Sequence, residues 1–457
     1  GIVDTNMTVW YDQDAENNIL KYRVYAYLGE AKSDYAESEE FQNSIPTPTN
    51  LILTELDNTK VKLNWCDICE TEDGYYIDKK IGSLDWVESY AILDSNATSY
   101  LDEIEQPCGT FSYRVRAFEG EILSSYSDVE TINISLGFVG LLDSGCDYQA
   151  NDVFISNTTN WWLFIADHYQ GLTIIDASDP SFNSDLDHAS FNLGGLPDRT
   201  FSVFVRGELA YVTTHSGLDE HGWLYVIDLS PFLNVYPREL PDVIYIIEAC
   251  QIQGSPDDTY IPNDIFVEGN YAYIADANNG LSIYNIVGTP YFVGNCSTNG
   301  EARHVYIKDD LAYVANGLSG AVVVDVSDKY NPFVIETYPT TGLSNEIAAL
   351  GDHIFVADGE NGLKIIERAT GNTQYLDTDG FAYSVYVQGQ DRFEEDHVYL
   401  ADKENGLFVI DISDINDPYV LGTLEMDTEP VTIHKFFQSS YVFLTDSFGV
   451  KTAQVAP

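Results

Sequence analysis

The sequence predicts an all-β protein that is built from two different kinds of repeat. Apolar and polar residues alternate in short runs such as Tyr113, Val115 and Ala117, which is the period-two pattern of strands with one buried face. A second pattern, in which one glycine recurs, occupies the chain beyond residue 136. The 457 residues are 44% hydrophobic and 13% aromatic, so the chain can bury large cores.

The first 135 residues contain a complete and a partial copy of one unit. YRVYAY from Tyr22 aligns with YRVRAF from Tyr113, roughly ninety residues later. Residues 45–135 form the complete copy, and residues 1–44 match only its second half. Half a sandwich would expose an apolar face and open strand edges. We therefore expect that the missing strands precede residue 1 in a longer chain or that another chain supplies them.

Three features of the complete copy define its fold. Trp65 ends the second strand, Y-R-V-x-A begins at Tyr113, and the turn that follows has serines at Ser124 and Ser127. On these features the unit resembles a fibronectin type III domain. The resemblance implies an antiparallel β-sandwich for the complete copy and the C-terminal half of such a domain for the partial one.

Residues 136–457 repeat a unit that reads approximately D-V-x-V-x-G-x-x-A-Y-V-A-D-x-x-x-G-L-x-I-I-D-x-S-D. Its second glycine occurs at Gly171, Gly222, Gly280, Gly320, Gly362, Gly406 and Gly449. A period near forty residues with four short strands is typical of a β-propeller blade, which must stack on its neighbours to bury its faces. The sequence therefore predicts a seven-bladed β-propeller.

The two ends of this region predict how the ring closes. The last copy ends without the outer strand that follows the other copies, whereas GFVGLLDSG from Gly137 precedes the first copy. We expect residues 137–142 to pair with residues 450–455 and to supply the missing outer strand.

The glycine-containing strands also carry a family resemblance. GLTIIDASDP from Gly171, GAVVVDVSD from Gly320 and GLFVIDISD from Gly406 are similar to LVIVD repeats. That resemblance implies a propeller of an extracellular protein.

Polar residues just before the innermost strand of each blade would line one mouth of the axial channel. The candidate ligand-binding residues are Asp152, Arg199, Asp264, Arg303, His304, Glu346 and Tyr383. Such a collection could bind a metal ion or a sugar-like ligand in a concave site. The alternative is a water-filled mouth that is merely polar.

A second candidate set consists of potential metal ligands. Its members are Asp167, Asp276, Asp358, Asp402, His215 and His221. The aspartates lie four residues before the repeated glycine, where an Asx side chain stabilises a tight turn. Carboxylate and carbonyl oxygens also suit calcium, although no EF-hand loop is present. The two histidines flank an inserted turn with Asp219 and Glu220, whose ligand types suit a transition metal. No motif requires a cofactor, and calcium is the ion that the aspartate pattern suggests.

Cysteines and sequons bear on the compartment. The six cysteines are compatible with a few disulfides, but six allow 15 pairings. Candidate glycosylation sites are Asn6, Asn96, Asn133, Asn157 and Asn295. These sequons would accept glycans only outside a cell with the required enzymes.

The charge limits the partners. With 73 acidic and 21 basic side chains, the formal net charge is −52, which excludes binding to a nucleic-acid backbone. Apolar runs such as WWLFIA from Trp161 are too short to span a bilayer, so we expect no transmembrane segment. Such a charge suits a salty or calcium-rich extracellular environment.

The function predicted from these observations is binding. We expect an extracellular or cell-surface structural and interaction protein in which sandwich spacers present a propeller to a protein, a glycan or its own copies, as part of a surface assembly. The alternative is a secreted polysaccharide-active hydrolase or lyase with its site at the propeller mouth. No GxSxG, P-loop, GxGxxG or HExxH motif occurs in the sequence, which makes an enzyme the less favoured alternative.

Overall fold

The computed structural model describes most of the chain beyond residue 45 and short segments before it. The described residues are 19–20, 23–24, 27–28, 31–33, 36–37, 41–42, 45–57, 60–67, 71–82, 84–104, 109–134, 137–143, 150–156, 162–168, 170–177, 188–191, 198–216, 221–230, 245–252, 261–388, 397–426, 429–435, 441–446 and 449–454.

The chain divides into two compact units. The first comprises Gly1–Glu105 and Gly109–Ile134, and the second comprises Gln106–Cys108 and Ser135–Pro457. The described part of the first unit contains the strands β1 (Ile19–Leu20), β2 (Arg23–Val24), β3 (Tyr27–Leu28), β4 (Ala31–Lys32), β5 (Ala36–Glu37), β6 (Phe41–Gln42), β7 (Thr49–Asp57), β8 (Lys60–Cys66), β9 (Gly74–Ile81), β10 (Val87–Asp94), β11 (Ser99–Glu103), β12 (Gly109–Glu119), β13 (Ile122–Leu123) and β14 (Glu130–Ile134).

Strands β7 to β14 form two antiparallel sheets. One has the order β11-β8-β7, and the other has the order β10-β9-β12-β13, with β14 also pairing with β12. Alternate residues of β8 and β12 point into a shared apolar core that contains Trp65 and Phe111. Ser124 and Ser127 accept hydrogen bonds from the backbone amides of Ala117 and Val115. The serine turn therefore fixes the end of β12.

One ionic cluster lies inside this unit. Asp102 is fully buried and lies 2.8 Å from the ammonium of Lys79, which is only 5% exposed. The hydroxyls of Tyr90 and Tyr113 donate to the two carboxylate oxygens. Because a buried charge is tolerated only when it is paired and hydrogen-bonded, these four residues stabilise one another.

In residues 19–42, three short antiparallel pairings follow each other. β1 pairs with β6, β2 with β5, and β3 with β4. The described parts of residues 1–44 are thus the two arms of one hairpin.

The second unit contains seven four-stranded sheets among its described residues, here called sheets 1 to 7. Sheets 1 to 3 comprise β16 (Ala150–Ser156), β17 (Trp162–Asp167), β18 (Gly171–Asp176) and β19 (His188–Phe191); β20 (Asp198–Arg206), β21 (Leu209–Ser216), β22 (Gly222–Asp228) and β23 (Tyr245–Gln251); and β24 (Asp264–Glu268), β25 (Tyr271–Ala275), β26 (Leu281–Asn285) and β27 (Tyr291–Cys296). Sheets 4 and 5 comprise β28 (His304–Lys308), β29 (Leu311–Ala315), β30 (Ala321–Asp325) and β31 (Phe333–Tyr338); and β32 (Glu346–Leu350), β33 (His353–Ala357), β34 (Leu363–Glu367) and β35 (Thr373–Leu376). Sheets 6 and 7 comprise β36 (Ala382–Gln388), β37 (His397–Asp402), β38 (Gly406–Asp411) and β39 (Tyr419–Leu424); and β40 (Thr432–Lys435), β41 (Tyr441–Asp446), β42 (Gly449–Gln454) and β15 (Gly137–Asp143).

The first strands of the seven sheets form a closed ring. Each of β16, β20, β24, β28, β32 and β36 contacts the first strand of the next sheet, and β40 contacts β16. Sheet 7 is completed from the other end of the unit, because Gly137 pairs with Gln454 and Leu142 pairs with Val450. This antiparallel pairing puts the strand that precedes the first repeat at the outer edge of the last sheet.

The apolar core lies between neighbouring sheets. Buried side chains from sheets 1 and 2 form one cluster, and equivalent clusters occupy the other interfaces, including that between sheets 7 and 1. Because each sheet buries both faces against its neighbours, its middle strands are apolar on both sides. Within the described segments, no helix is both long enough and apolar enough to span a bilayer.

Candidate functional site

A cavity of about 420 Å³ opens along the ring of first strands, a volume within the usual range for small-molecule sites. Residues of all seven first strands, or directly before them, line it. Residues two positions apart on a strand point to the same face. Two such positions on each first strand therefore form two successive layers around the channel. One layer is polar and the next is largely aromatic.

The polar layer has one residue from each first strand. In sheet order these residues are Asp152, Ser202, Asp264, His304, Glu346, Ser384 and Thr432, of which Ser202 and Ser384 are buried and are not among the lining residues. Several accept a hydrogen bond from a backbone amide of the next sheet: Asp152 from Val203 at 3.0 Å, Ser202 from Ile265 at 3.3 Å, Asp264 from Val305 at 2.9 Å, Glu346 from Val385, and Ser384 from Ile433 at 3.0 Å. These residues therefore join neighbouring sheets.

Asparagines make a second set of links between sheets. Asn151 donates to the carbonyl oxygen of Thr200 at 2.6 Å, and Asn263 donates to that of Ala302 at 2.8 Å. Asn345 donates to the carbonyl oxygen of Ala382 at 3.0 Å. Each asparagine directly precedes a carboxylate, so sheets 1, 3 and 5 carry an Asn-acid pair that is absent from the described sheets between them.

The hydroxyl of Ser202 lies within hydrogen-bond distance of two carboxyl groups, those of Asp152 and Asp264. Ser202 Oγ lies 2.6 Å from Asp152 Oδ2 and 2.9 Å from Asp264 Oδ1. A hydroxyl has a single hydrogen, so both contacts are hydrogen bonds only when one carboxyl group carries a proton. Burial, together with the negative charge of Asp264, raises the pKa of Asp152 to about 7. Asp152 therefore holds this proton below neutral pH.

His304 lies between two carboxylates. Its Nε2 atom is 3.5 Å from Asp264 Oδ2 and 3.7 Å from Glu346 Oε1. Burial raises the pKa of Glu346 well above its ordinary value, and the charges of Asp264 and Asp152 add to this effect. Burial also lowers the pKa of His304, against the opposing effect of Asp264. The imidazole is therefore neutral at pH 7.

The aromatic layer consists of the residues two positions further along each first strand. Its rings contact one another in the sequence Tyr306, Phe266, Phe204, Phe154, His434 and Tyr386, with centroids 4.9 to 5.9 Å apart. Sheet 5 has Ala348 at this position, which leaves a gap between the rings of Tyr306 and Tyr386. Burial lowers the pKa of His434 to about 4. We call this set the aromatic belt.

The structure brings six of the seven predicted mouth residues to the cavity. Asp152, Asp264, Arg303, His304, Glu346 and Tyr383 line it. Arg199 is exposed and is not among the lining residues. Its charge acts on His168 instead, whose pKa is lowered by burial and by Arg199.

The aromatic belt and the sheet-linking role of Ser384 are not among the features predicted from the sequence. The signal for both was present in the alignment of the first strands: the position of Asp152 in each repeat is polar, and the position of Phe154 is mostly aromatic.

The four candidate metal-binding aspartates lie in separate sheets, in turns. Asp167 accepts the amide of Gln170, and Asp276 accepts from the side chains of Asn279 and Ser282. The other two behave alike: Asp358 accepts the amide of Gly342 and Asp402 accepts those of Glu404 and Asn405. The structure therefore does not bring them together, and their contacts are those of turn-stabilising groups. The described residues contain no group of three or more His, Cys, Asp and Glu that could hold a metal ion.

The inserted turn of sheet 2 is described only at its ends. His215 pairs across the ladder with Gly222, and His221 is half-buried beside it. Asp219 and Glu220, which were proposed as further ligands, lie outside the described residues.

Three cysteines and three sequons lie in the described segments. Cys66, Cys250 and Cys296 are free thiols, and burial raises the pKa of Cys250 to about 12. The described sequon asparagines, all exposed, are Asn96, Asn133 and Asn295. Asn6 and Asn157 lie outside the described residues.

Comparisons with known proteins agree with this geometry. LVIVD repeats match residues 149–183, 262–298, 299–340, 341–367 and 380–424. The WD40 β-propeller domain of Doa1 is similar over 70% of this chain and 96% of its own, at 10% identity and a TM-score of 0.52. This chain is a β-propeller repeat protein. The sequence-based prediction of a propeller is thus confirmed.

Two further solved structures show the same fold. Virginiamycin B lyase from Staphylococcus aureus is similar over 71% of this β-propeller repeat protein and 99% of its own chain, at 10% identity and a TM-score of 0.51. Chaetomium thermophilum Raptor is similar over 71% of this chain and 29% of its own chain, at 10% identity and a TM-score of 0.54. A comparison with curated proteins gives no match.

Proposed function

We propose that the second unit is a seven-bladed propeller and that residues 45–135 form a fibronectin type III-like sandwich. The closed ring of seven first strands supports the blade count. The two sheets around the buried Trp65, and the serine turn that fixes β12, support the sandwich. The hairpin within residues 19–42 is compatible with the second half of another such domain.

We propose that the chain is an extracellular or cell-surface structural and interaction protein, and that its propeller binds a protein partner, including its own copies. The observation that carries this proposal is the apolar surface of the outer strands. Large hydrophobic side chains on β23, β27, β31, β35 and β39 are exposed: Tyr245, Ile246, Ile247, Tyr291, Phe333, Val334, Ile335, Tyr375 and Val420.

Strand β31 illustrates why this surface favours a partner. Phe333 is 55% exposed, and Val334 and Ile335, which follow it, are 36% and 39% exposed. β31 pairs with β30 and with no other described strand. Soluble proteins usually protect such edges with charge or proline. Pro332 precedes β31 and Glu336 lies within it, but three consecutive apolar side chains of its first half are exposed. Such an apolar stretch on a chain with a net charge of −52 is typical of a binding surface.

The chemistry of this edge favours a polypeptide over a glycan. An outer strand offers unpaired backbone N–H and C=O groups, which an extended peptide matches by adding one strand to the sheet. Apolar side chains beside them give such a partner an area to bury. Polypeptide partners include a further copy of this chain, because its own outer strands have the same properties.

The test uses a photo-crosslinking amino acid at one outer-strand position of the full-length protein. We expect crosslinks to a protein partner or to a second copy from position Phe333, under native conditions and at the surface of the cells that produce the protein. Leu318 provides the matched control, because it is 81% exposed but lies outside the named strands. Equal crosslinking from both positions, or none from Phe333, would overturn the proposal.

A second candidate function is a polysaccharide-active hydrolase or lyase at the cavity. The observation that favours it is a raised pKa at Asp152 and Glu346, because a carboxyl group that keeps its proton near neutral pH can act as a general acid. Virginiamycin B lyase shows that a similar fold can carry an enzyme. One observation opposes an enzyme: Asp152 and Asp264 accept hydrogen bonds from backbone amides of neighbouring sheets, which is a structural role.

The enzyme hypothesis is tested by incubating the protein with a panel of acidic and neutral polysaccharides. Release of new reducing ends or unsaturated products by the wild type, and its loss in Glu346→Gln, would support it. No product with any polysaccharide would leave binding as the function of this cavity.

A further inference from the structure

The cavity has acceptor groups that the protein leaves partly unused. Asn345 is only 5% exposed and its Nδ2 donates to the carbonyl of Ala382. Its Oδ1 atom is buried without a hydrogen-bond partner. A buried acceptor without a partner is destabilising unless a bound group supplies a donor. Asn345 lines the cavity beside Glu346.

The positive charges that would balance the carboxylates are missing from the cavity. Arg303 is the one Lys or Arg among the described lining residues, and its guanidinium pairs with Glu301 at 2.9 Å, outside the polar layer. His304 and His434 are neutral at pH 7, because burial lowers the pKa of both. The one lining cation of the described residues, Arg303, is thus paired with Glu301 rather than with the facing carboxyl groups of Asp152, Asp264 and Glu346.

The aromatic belt adds a second and independent preference for a cation. The faces of aromatic rings are electron-rich, and a cation within about 6 Å of a ring centroid is attracted to them. The rings of Phe154, Phe204 and Phe266 follow one another at 4.9 Å between centroids. Opposite them, the gap at Ala348 leaves space beside the rings of Tyr306 and Tyr386.

We propose that this cavity binds a small organic ammonium ion. Its N–H groups donate to Asp264, Glu346 and the unused oxygen of Asn345, and its apolar body lies against the aromatic belt in the gap left by Ala348. A neutral molecule of the same shape would leave the carboxylates without a counter-charge. A metal ion would not use the aromatic belt, and the described residues contain no metal-binding group of three or more ligands.

Binding is measured by isothermal titration calorimetry of the full-length protein at pH 7 and 0.3 M salt, which screens non-specific attraction to the acidic surface. The probes are phenethylammonium and its neutral isostere 2-phenylethanol. We expect a single site per chain for the ammonium ion and at least tenfold weaker binding of the alcohol. Equal binding of the two, or no binding of either at millimolar concentration, would overturn the proposal.

Three variants locate the site. Glu346→Gln keeps the side-chain shape and removes the carboxyl group that ionises when the cation binds, and we expect at least tenfold weaker ammonium binding. Ala348→Phe fills the gap in the aromatic belt with a ring. It should abolish binding of the ammonium ion, because the apolar body of that ion lies in the gap. Asp325→Asn removes a half-buried charge on β30 that does not line the cavity and should leave the affinity unchanged. Equal weakening by Asp325→Asn would show a general charge effect and refute the site.

A measurement of proton release by the wild-type protein does not depend on whether the variants fold. A bound cation favours ionised carboxylates and therefore lowers the raised pKa values of Asp152 and Glu346. Titrations in phosphate and in HEPES buffer, which differ in ionisation enthalpy and contain no primary ammonium ion, should report release of a fraction of a proton per ammonium ion bound. Binding without proton release would place the ammonium ion elsewhere on the acidic surface.

Discussion

Replacing Asp152 by Asn should remove a component of the pH dependence of stability. The carboxyl group of Asp152 and the hydroxyl of Ser202 are 2.6 Å apart, and the same hydroxyl is 2.9 Å from Asp264. In the folded protein the proton of Asp152 completes this network, and it is lost as the pH rises through about 7. The Asp152→Asn variant donates from a neutral amide at every pH.

The magnitude follows from the two pKa values of Asp152. The ordinary value is 3.8 and the folded value is about 7. The folded state therefore binds more protons than the unfolded state in this window, and the free energy of unfolding decreases as the pH rises. From pH 5 to pH 8 the loss attributable to this proton is about 2.5 kcal/mol. Because Asp152 is only half-buried, solvent screening reduces the expected loss to about 2 kcal/mol.

Urea unfolding of the full-length protein at pH 5, 6, 7 and 8 measures this effect. The wild type should lose about 2 kcal/mol more than Asp152→Asn across the series, whereas Asp325→Asn, at a half-buried site outside the cavity lining, should follow the wild type. Subtraction removes the contributions of other titrating groups, since both proteins share them. The amide loses the bond from the Val203 backbone, which lowers stability equally at every pH. Identical pH profiles for the wild type and Asp152→Asn would refute the shared proton.

Three further outcomes test other parts of the structure. Gly320 has φ +86°, and a Cβ added there would overlap a carbonyl oxygen of the outer strand, whereas Gly351 has φ +55° and open space around it. Gly320→Ala should therefore lower the free energy of unfolding by about 2 kcal/mol more than Gly351→Ala does. Urea unfolding measures this difference. His434→Phe should reduce the loss of stability that the wild type shows as the pH falls from 6.5 to about 4, because unfolded histidine gains a proton in that window and the folded ring does not; His168 and His304, whose pKa values are also lowered by burial, keep their contributions. Asp102→Ala should cost about 3 to 5 kcal/mol by leaving the buried Lys79 unpaired, and restoring a neutral pair with Asp102→Asn and Lys79→Met should recover part of that loss in thermal unfolding.

The residues that recur in sequence could be recognised without a structure. Gly280 and Gly320 repeat because each turn needs a residue with positive φ and no Cβ beside the outer strand. Strands such as β18 and β38 are mostly apolar and buried along nearly their whole length because sheets cover both of their faces. The short-range pattern thus determined the repeat, the strand positions and the propeller class.

The candidate site was only partly predictable. Position within the repeat was enough to place Asp152 and Glu346 at the channel, because equivalent residues of equivalent strands meet around one axis. Arg199 is the second residue of the first strand β20 but is exposed, and spacing alone does not reveal in which direction a side chain points. The serine that links two carboxylates, Ser202, has no signature in a sequence already rich in serine.

The tertiary structure decided what the recurring residues do to one another. The sequence by itself determined which residues occupy the first strand of each sheet. Closure of the ring decided that Asp152 accepts an amide of the neighbouring sheet, that Asp264 and Glu346 lie on either side of His304, and that one aromatic side chain is missing at Ala348. The physical reason is that hydrogen bonds, desolvation and Coulomb interactions act over a few ångströms. Their strength therefore depends on distances between strands that are 40 to 60 residues apart in the chain.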